Sequence, residues 1–206
     1  MKKVSLLFFV LFSVCAFSQK YTKQEISRIT EGNIDSALVI FQTSDSLQHR
    51  VLLDHSMDAN PKDQYTKILV NRMKLALLST GSGVGIAAPQ VGINRNIIWA
   101  KRFDKDGKPL EYFINPKILW RSEVLNFGPE GDLSIEVFRD YFYRSQVIQL
   151  EHFDLNGKKH TEIVEGFTAV ILQHEIDHLS GILISDKIEN QKMKTYEKVE
   201  FYKEVK

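Results

Sequence analysis

The alternation of hydrophobic and polar residues divides the chain into one amphipathic helix, a set of strands and one nearly apolar helix. Apolar residues recur at helical spacing after Asn60-Pro61-Lys62-Asp63, with Asn60 as the expected N-cap, and they continue to about Ser79. Runs rich in β-branched and aromatic residues predict strands at residues 97–100, 112–115, 118–120 and 147–153. Residues 167–179 are apolar on nearly every face, which predicts a buried helix that Gly181 would end. This order of elements predicts an α+β fold rather than alternating βαβ units.

The predicted buried helix carries the strongest chemical signal of the chain, the segment His174-Glu175-Ile176-Asp177-His178. Two histidines four residues apart project from one face of a helix, so both imidazoles can reach one metal ion. The Glu between them is placed to exchange protons with a water molecule at that metal. The same short pattern also occurs on ordinary surface helices, but polar side chains inside a buried helix need partners. A metal ion would be one such partner.

The composition is ordinary for a soluble globular protein. The chain has 206 residues, of which 43% are hydrophobic and 26% charged, which suits a single domain with a sizeable core. The formal net charge of +1 gives no support for binding to nucleic acid or to an anionic membrane through bulk electrostatics.

The first residues have the pattern of a secretory signal peptide. Met1-Lys2-Lys3 is basic, residues 4–17 are apolar but too few to span a bilayer comfortably, and Ala16-Phe17-Ser18 fits a small-x-small cleavage site. We therefore expect a signal peptide at residues 1–18 and an exported protein, periplasmic or secreted, with no stable membrane span after cleavage. An uncleaved N-terminal anchor is the alternative interpretation.

Cys15 is the only cysteine. Lipid anchoring through it is less favoured, because Val14 is bulkier than that processing usually accepts. Cleavage after residue 18 would leave a mature chain without disulfides or thiolate metal ligands.

Two further segments suggest chemistry, although each has a simple structural explanation. Residues 83–90, GVGIAAPQ, allow close approach to the backbone and end in an amide side chain; alone, they could be a tight bend before a strand. Residues 130–134, EGDLS, could be a solvated turn.

Taken together, these two segments and residues 173–178, QHEIDH, resemble peptide deformylases. That family shows G-x-G-x-A-A-x-Q, E-G-C-L-S and Q-H-E-x-D-H in the same order. The resemblance covers roughly residues 45–187. It implies the family's α+β fold, with mixed antiparallel strands around a central metal-binding helix. The expected organisation is a signal peptide (1–18), an N-terminal extension (19–44), the deformylase-like domain (45–187) and a charged tail, expected to be helical (188–206).

The resemblance also implies roles for individual residues. His174 and His178 would be metal ligands and Glu175 the general acid/base. Gln90 and the backbone N–H of Leu133 would stabilise the oxyanion. The expected substrate contacts are Gly85, at the peptide backbone, and Arg139.

Asp132 departs from the family pattern, because it stands where the family has its cysteine ligand. One interpretation is a catalytically inactive deformylase-like module that binds N-blocked peptides. The other is an altered but intact site, since two histidines with one carboxylate are an established hydrolytic zinc set and also suit ferrous iron. We favour the second, with one divalent metal ion, zinc or iron, held by Asp132, His174 and His178.

The expected function is therefore that of a metal-dependent hydrolase acting on N-formylated or otherwise N-blocked peptides. It would remove formyl, or a similar small acyl group, from an N-terminal Met. A general metallopeptidase is less favoured, because no third ligand follows the two histidines at a standard spacing.

Overall fold

The computed structural model describes residues 20–192. The predicted signal peptide and most of the predicted helical tail, residues 193–206, lie outside this range. The helices are α1 (Lys23–Thr30), α2 (Ser46–Leu53), α3 (Gln64–Ser79), α4 (Gly166–Leu179) and α5 (Ile184–Lys192), with a short 3-10 helix at Ala88–Val91. The strands are β1 (Gly85–Ala87), β2 (Ile97–Lys101), β3 (Leu110–Arg121), β4 (Leu125–Asp132), β5 (Ile135–Ser145), β6 (Val147–Phe153) and β7 (Lys159–Glu165). Within the described range, no helix is long and apolar enough to cross a membrane.

The strands form two antiparallel sheets, which confirms the predicted α+β class. One sheet has five strands in the order β1-β2-β3-β6-β7, and β4 and β5 pair separately as a two-stranded ribbon. The predicted strand at residues 147–153 matches β6, whereas the two predicted at 112–115 and 118–120 are parts of one strand, β3.

Strands β1 and β2 of the five-stranded sheet are buried between helices on both faces, since successive side chains along a strand point to opposite faces. Ile97 and Trp99 pack with the α3 side chains, whereas Ile98 and Ala100 pack with α4. The central helix α4 is therefore enclosed, as its apolar sequence predicted. The helix ends at Leu179, and Gly181, which follows the C-cap Ser180, has a φ of +68° that suits glycine. A Cβ at residue 181 would lie 2.1 Å from the carbonyl oxygen of Leu53.

The predicted start of α3 is wrong by one turn. The N-cap is Asp63, whose side chain accepts the N–H of Tyr65 at 2.8 Å, and the helix begins at Gln64. The side chain of Asn60 instead accepts the N–H of Lys62 at 3.1 Å, in a turn before the helix. Both residues are good caps, and the turn at Pro61 delays the helix.

The N-terminal extension contributes α1, which packs against α3. Thr22 and Glu25 form a capping box at its start, and Ile29 is fully buried. Glu25 also binds the buried guanidinium of Arg95 at 2.6 Å, so this segment is tied to the body of the protein.

Candidate metal centre

Three predicted metal ligands meet beside the central helix. His174 and His178 lie one turn apart on α4, with ring centroids 5.1 Å apart, and Asp132 ends strand β4. One ligand atom from each of the three lies within 4.8 Å of the others. Among residues 20–192, no other group of three or more His, Cys, Asp or Glu side chains has this arrangement.

The donor atoms of this cluster fit a divalent cation. Oδ2 of Asp132 and both ring nitrogens of His178 are buried without a hydrogen-bond partner in the described residues. Oδ2 lies 3.3 Å from Nε2 of His178. Because unpaired buried polar atoms are costly, a shared cation would stabilise this pair. One carboxylate and two imidazoles suit zinc or ferrous iron.

A charged network behind His174 fixes the orientation of its ring. Nδ1 of His174 is 2.9 Å from Oε2 of Glu130, which leaves Nε2 available for a metal. Arg144 donates two hydrogen bonds to Glu130, at 2.7 and 2.8 Å, and also contacts Asp177. Burial would raise the pKa of Glu130, but Arg144 and His174 outweigh it and lower that pKa to about 2. The carboxylate is thus ionised and can hold the imidazole.

Only part of this network could be inferred from the sequence. Glu130 belongs to a quoted motif, and Asp177 is a second carboxylate in a buried helix, but the partner of each was not predicted. Arg144 was missed altogether, since it lies in β5, and neither β4 nor β5 was predicted.

The carboxylate of Asp132 is held on its other oxygen. Oδ1 accepts the backbone N–H of Ser134 at 2.8 Å and the amide of Gln90 at 3.1 Å. Burial would raise the pKa of Asp132, but the charges of His178 and His174 and the Ser134 N–H lower it to about 2. The carboxylate of Asp132 is therefore ionised at neutral pH.

Glu175 is buried next to the ligand cluster with a free oxygen. Its Oε2 has no hydrogen-bond partner among residues 20–192. Burial raises the pKa of Glu175 to about 7, although the charges of His174 and His178 act in the opposite direction. Gly85 makes room for this carboxylate, because a Cβ at residue 85 would lie 2.3 Å from Oε1 of Glu175. A carboxyl group with such a pKa can both accept and donate a proton near neutral pH.

The predicted site residues meet at one cleft of about 480 Å³. The lining includes seven of the eight predicted site residues: Gly85, Gln90, Asp132, Leu133, Arg139, His174 and Glu175. The eighth, His178, is only 1% exposed and is not among the residues that line the cleft. The amide of Gln90 is occupied within the protein, since its Nε2 donates to Asp132 Oδ1 and to Ser134 Oγ, the latter at 3.3 Å.

Fold and site together define an α+β protein whose candidate metal ligands, two of them on a buried helix, are of the types found in hydrolases. The family model for polypeptide deformylase matches residues 38–194. The chain belongs to the peptide deformylase family. It is 32% identical over 145 residues to the peptide deformylase of Phenylobacterium zucineum, covering 70% of this chain and 85% of that relative. It is 36% identical over 134 residues to that of Methylocella silvestris, covering 63% and 68%.

Solved structures give the same result. The peptide deformylase of Thermotoga maritima superposes with a TM-score of 0.65 at 31% identity, covering 73% of this chain and 96% of that chain. The Synechococcus elongatus enzyme in complex with actinonin superposes with a TM-score of 0.66 at 31% identity, covering 75% and 82%. The predicted deformylase-like fold is confirmed.

Proposed function

We propose that the protein is a metal-dependent deformylase that hydrolyses the formyl group, or a similar small acyl group, from N-terminal Met of peptides. One observation carries the proposal. The buried, unpartnered carboxyl of Glu175 lies beside three convergent metal ligands at a cleft large enough for a peptide end.

Asp132, His174 and His178 would hold one divalent metal ion, zinc or ferrous iron. When bound, the metal supplies Lewis-acid chemistry, because it lowers the pKa of a water molecule and polarises a carbonyl oxygen. The ionised carboxylate of Asp132 takes the place of the thiolate that the family motif has at this position.

Glu175 moves the protons of the reaction. Its pKa of about 7 leaves a large fraction ionised at neutral pH, so Oε2 can accept a proton from the water that attacks the formyl carbon. The same group then returns the proton to the amine nitrogen as the C–N bond breaks. Leu133 lines the cleft, and its backbone N–H would donate to the developing oxyanion.

The walls of the cleft suit a peptide that begins with Met. Val170, Ile171 and Phe138 offer an apolar surface for a thioether side chain, and the backbone at Gly85 can be approached closely. Arg139 lines the same cleft, where it can attract a carboxylate of the peptide. A structural neighbour from Acinetobacter baumannii, 30% identical with a TM-score of 0.63, is a Met-Ala-Ser-bound peptide deformylase.

The test is release of formate from formyl-Met-Ala-Ser by the purified, zinc- or iron-loaded protein. Glu175→Ala should lower kcat by about 10²- to 10⁴-fold, the usual contribution of a general acid/base. Glu165→Ala is the matched control, because Glu165 is exposed at the start of α4 and its side chain makes no capping hydrogen bond. Equal kcat in both variants would refute the proposal, as would a wild-type protein that binds the peptide but releases no formate.

We also propose that the protein is exported, on the signal-peptide pattern of residues 1–18. Mass spectrometry of the protein recovered from the periplasm or the medium should find a new N-terminus close to Gln19. Cys15→Ser should leave both export and cleavage unchanged. A full-length N-terminus, or lipid attached at Cys15, would refute this proposal.

A further inference from the structure

The hydrogen bonds around Asp132 give its two carboxylate oxygens different surroundings. Oδ1 accepts two hydrogen bonds, from Ser134 N–H at 2.8 Å and from Gln90 Nε2 at 3.1 Å. Oδ2 accepts none from residues 20–192 and lies 3.3 Å from Nε2 of His178. The protein therefore holds one oxygen and leaves the other facing the two histidines.

Gln90 has no amide hydrogen left for another partner. A primary amide has two N–H donors. In Gln90 one contacts Asp132 Oδ1, and the other contacts Ser134 Oγ at 3.3 Å. Its carbonyl oxygen accepts the backbone N–H of Ala87 at 2.9 Å, so the amide is fixed on both sides. The side chain is only 1% exposed, which leaves it little room to turn into the cleft.

We propose that Gln90 is a positioning residue for the third metal ligand. Together with the Ser134 N–H, it holds the carboxylate so that Asp132 binds the metal through Oδ2 alone. This inference rests on the proposed metal-dependent function and deepens it, because it changes the role that the sequence predicted for Gln90. Stabilisation of the oxyanion is left to the Leu133 N–H and the metal.

The role depends on Asp132 being a carboxylate. A cysteine thiolate has one donor atom, so a cysteine at residue 132 offers no counterpart of Oδ1 and leaves one amide hydrogen of Gln90 without this acceptor. A carboxylate can bind a cation through one oxygen or both, and its hydrogen bonds decide which. Gln90 and Asp132 should therefore contribute to zinc affinity in a coupled way. Gln90 and a cysteine at residue 132 should contribute independently.

The experiment is a double-mutant cycle on zinc affinity, measured by competition between the metal-free protein and a chromophoric chelator. Gln90→Met removes both amide donors while keeping the length of the side chain. In the wild-type background it should weaken zinc binding by about 10- to 100-fold, as loss of a hydrogen bond to a ligand typically does. In an Asp132→Cys background the same change should weaken it by less than about threefold.

Ser134→Ala is the matched control. It removes the hydroxyl that accepts from Gln90 but keeps the backbone N–H that binds Asp132 Oδ1. Zinc affinity should change by less than about threefold. An equal loss from Gln90→Met in both backgrounds would show that Gln90 acts through general packing and would overturn the proposal. So would unchanged affinity in the wild-type background.

Asp132→Cys could fail to fold, which thermal unfolding of the metal-free variant would reveal. The carboxylate stretches of zinc-loaded protein, in a difference infrared spectrum with ¹³C-labelled aspartate, then provide the second test. When a carboxylate binds a metal through one oxygen, the frequencies of its antisymmetric and symmetric stretches lie far apart. Gln90→Met should narrow the separation, and an unchanged separation overturns the proposal. Wild-type protein that shows the coupling but releases no formate would refute the proposed function and leave this inference standing.

Discussion

Gly85→Ala tests whether the position of Glu175 decides activity. The added Cβ would lie 2.3 Å from Oε1 and 2.8 Å from Cδ of Glu175, and 2.9 Å from Cγ2 of Ile171. To restore van der Waals contact, the carboxylate or strand β1 must move by roughly 1 Å.

The expected size of the effect follows from this displacement. A misplacement of about 1 Å in a catalytic group costs on the order of 10²-fold in rate. Overpacking a buried site costs about 1–3 kcal/mol, whereas replacing Gly by Ala recovers only about 0.4–1 kcal/mol of unfolded-state entropy. We therefore expect a loss of about 10²-fold in kcat for deformylation and a net destabilisation of about 1–2 kcal/mol.

The loss of kcat is measured as formate release at saturating peptide. The loss of stability is measured by urea unfolding of the same preparation. Gly128→Ala is the matched control, since a Cβ at Gly128 meets no atom within 4 Å. Its activity and stability should equal or slightly exceed those of the wild type. If Gly85→Ala retained wild-type kcat, the reasoning that places Glu175 at the reacting atoms would be refuted.

Three further predictions concern the metal and two buried charge clusters. Removing the metal with a chelator should abolish formate release and lower the free energy of unfolding by about 2.7 kcal/mol relative to protein in zinc at 100 times its Kd. Arg144→Met leaves the buried carboxylate of Glu130 without its main partner and should cost about 3–5 kcal/mol in urea unfolding. Hydrogen bonds from His152 and Arg102 lower the pKa of Glu162 below 4.5, its value in an unfolded chain. Its stabilisation is therefore complete above about pH 4.5 and is lost as the pH falls towards the folded pKa, so Glu162→Gln should flatten the acid side of the stability profile.

Each of these three predictions has a contrary outcome. Zinc added back should restore activity and stability together. Recovery of only one of them would contradict the prediction that one metal site supports both. Arg121→Met, at an exposed position of β3, should change stability by less than about 0.5 kcal/mol, and an equal loss in both Arg variants would contradict the argument. Glu123→Gln, also exposed, should keep the acid dependence of the wild type. The same flattening there would show that Glu162 is not responsible.

The local elements of the fold could be predicted from the sequence, and the long-range ones could not. Helix α4 and its end just before Gly181 follow from an apolar run and a glycine, which are neighbours in the chain. Strand β4 was missed because Gly128, Pro129 and Gly131 interrupt the usual strand pattern, and its partner β5 was not predicted either. Their ribbon is stabilised by pairing with each other across the turn at residues 132–135. The start of α3 could not be predicted because Asn60 and Asp63 are both good N-caps. The turn of the chain before the helix decides between them.

In the candidate site, too, the local arrangement could be predicted from the sequence and the long-range contacts could not. The spacing of His174 and His178 is a property of one helix, so their shared face follows from the sequence. That Asp132 joins them was expected only from the resemblance. The hydrogen bonds of Glu130 with Arg144 and of Gln90 with Asp132 link residues 14 and 42 positions apart. Such pairs depend on the tertiary fold, which spacing along the chain does not reveal.

The separation of the β4–β5 ribbon from the five-stranded sheet has a mechanical consequence. Asp132 lies at the far end of this ribbon, and both histidines lie on α4. A metal ion held by all three would link the two-stranded ribbon to the helix that packs on the five-stranded sheet. Metal occupancy should then set how often the ribbon opens, so amide hydrogen exchange in β4 and β5 would slow when zinc binds, while β6 and β7 would exchange at the same rate.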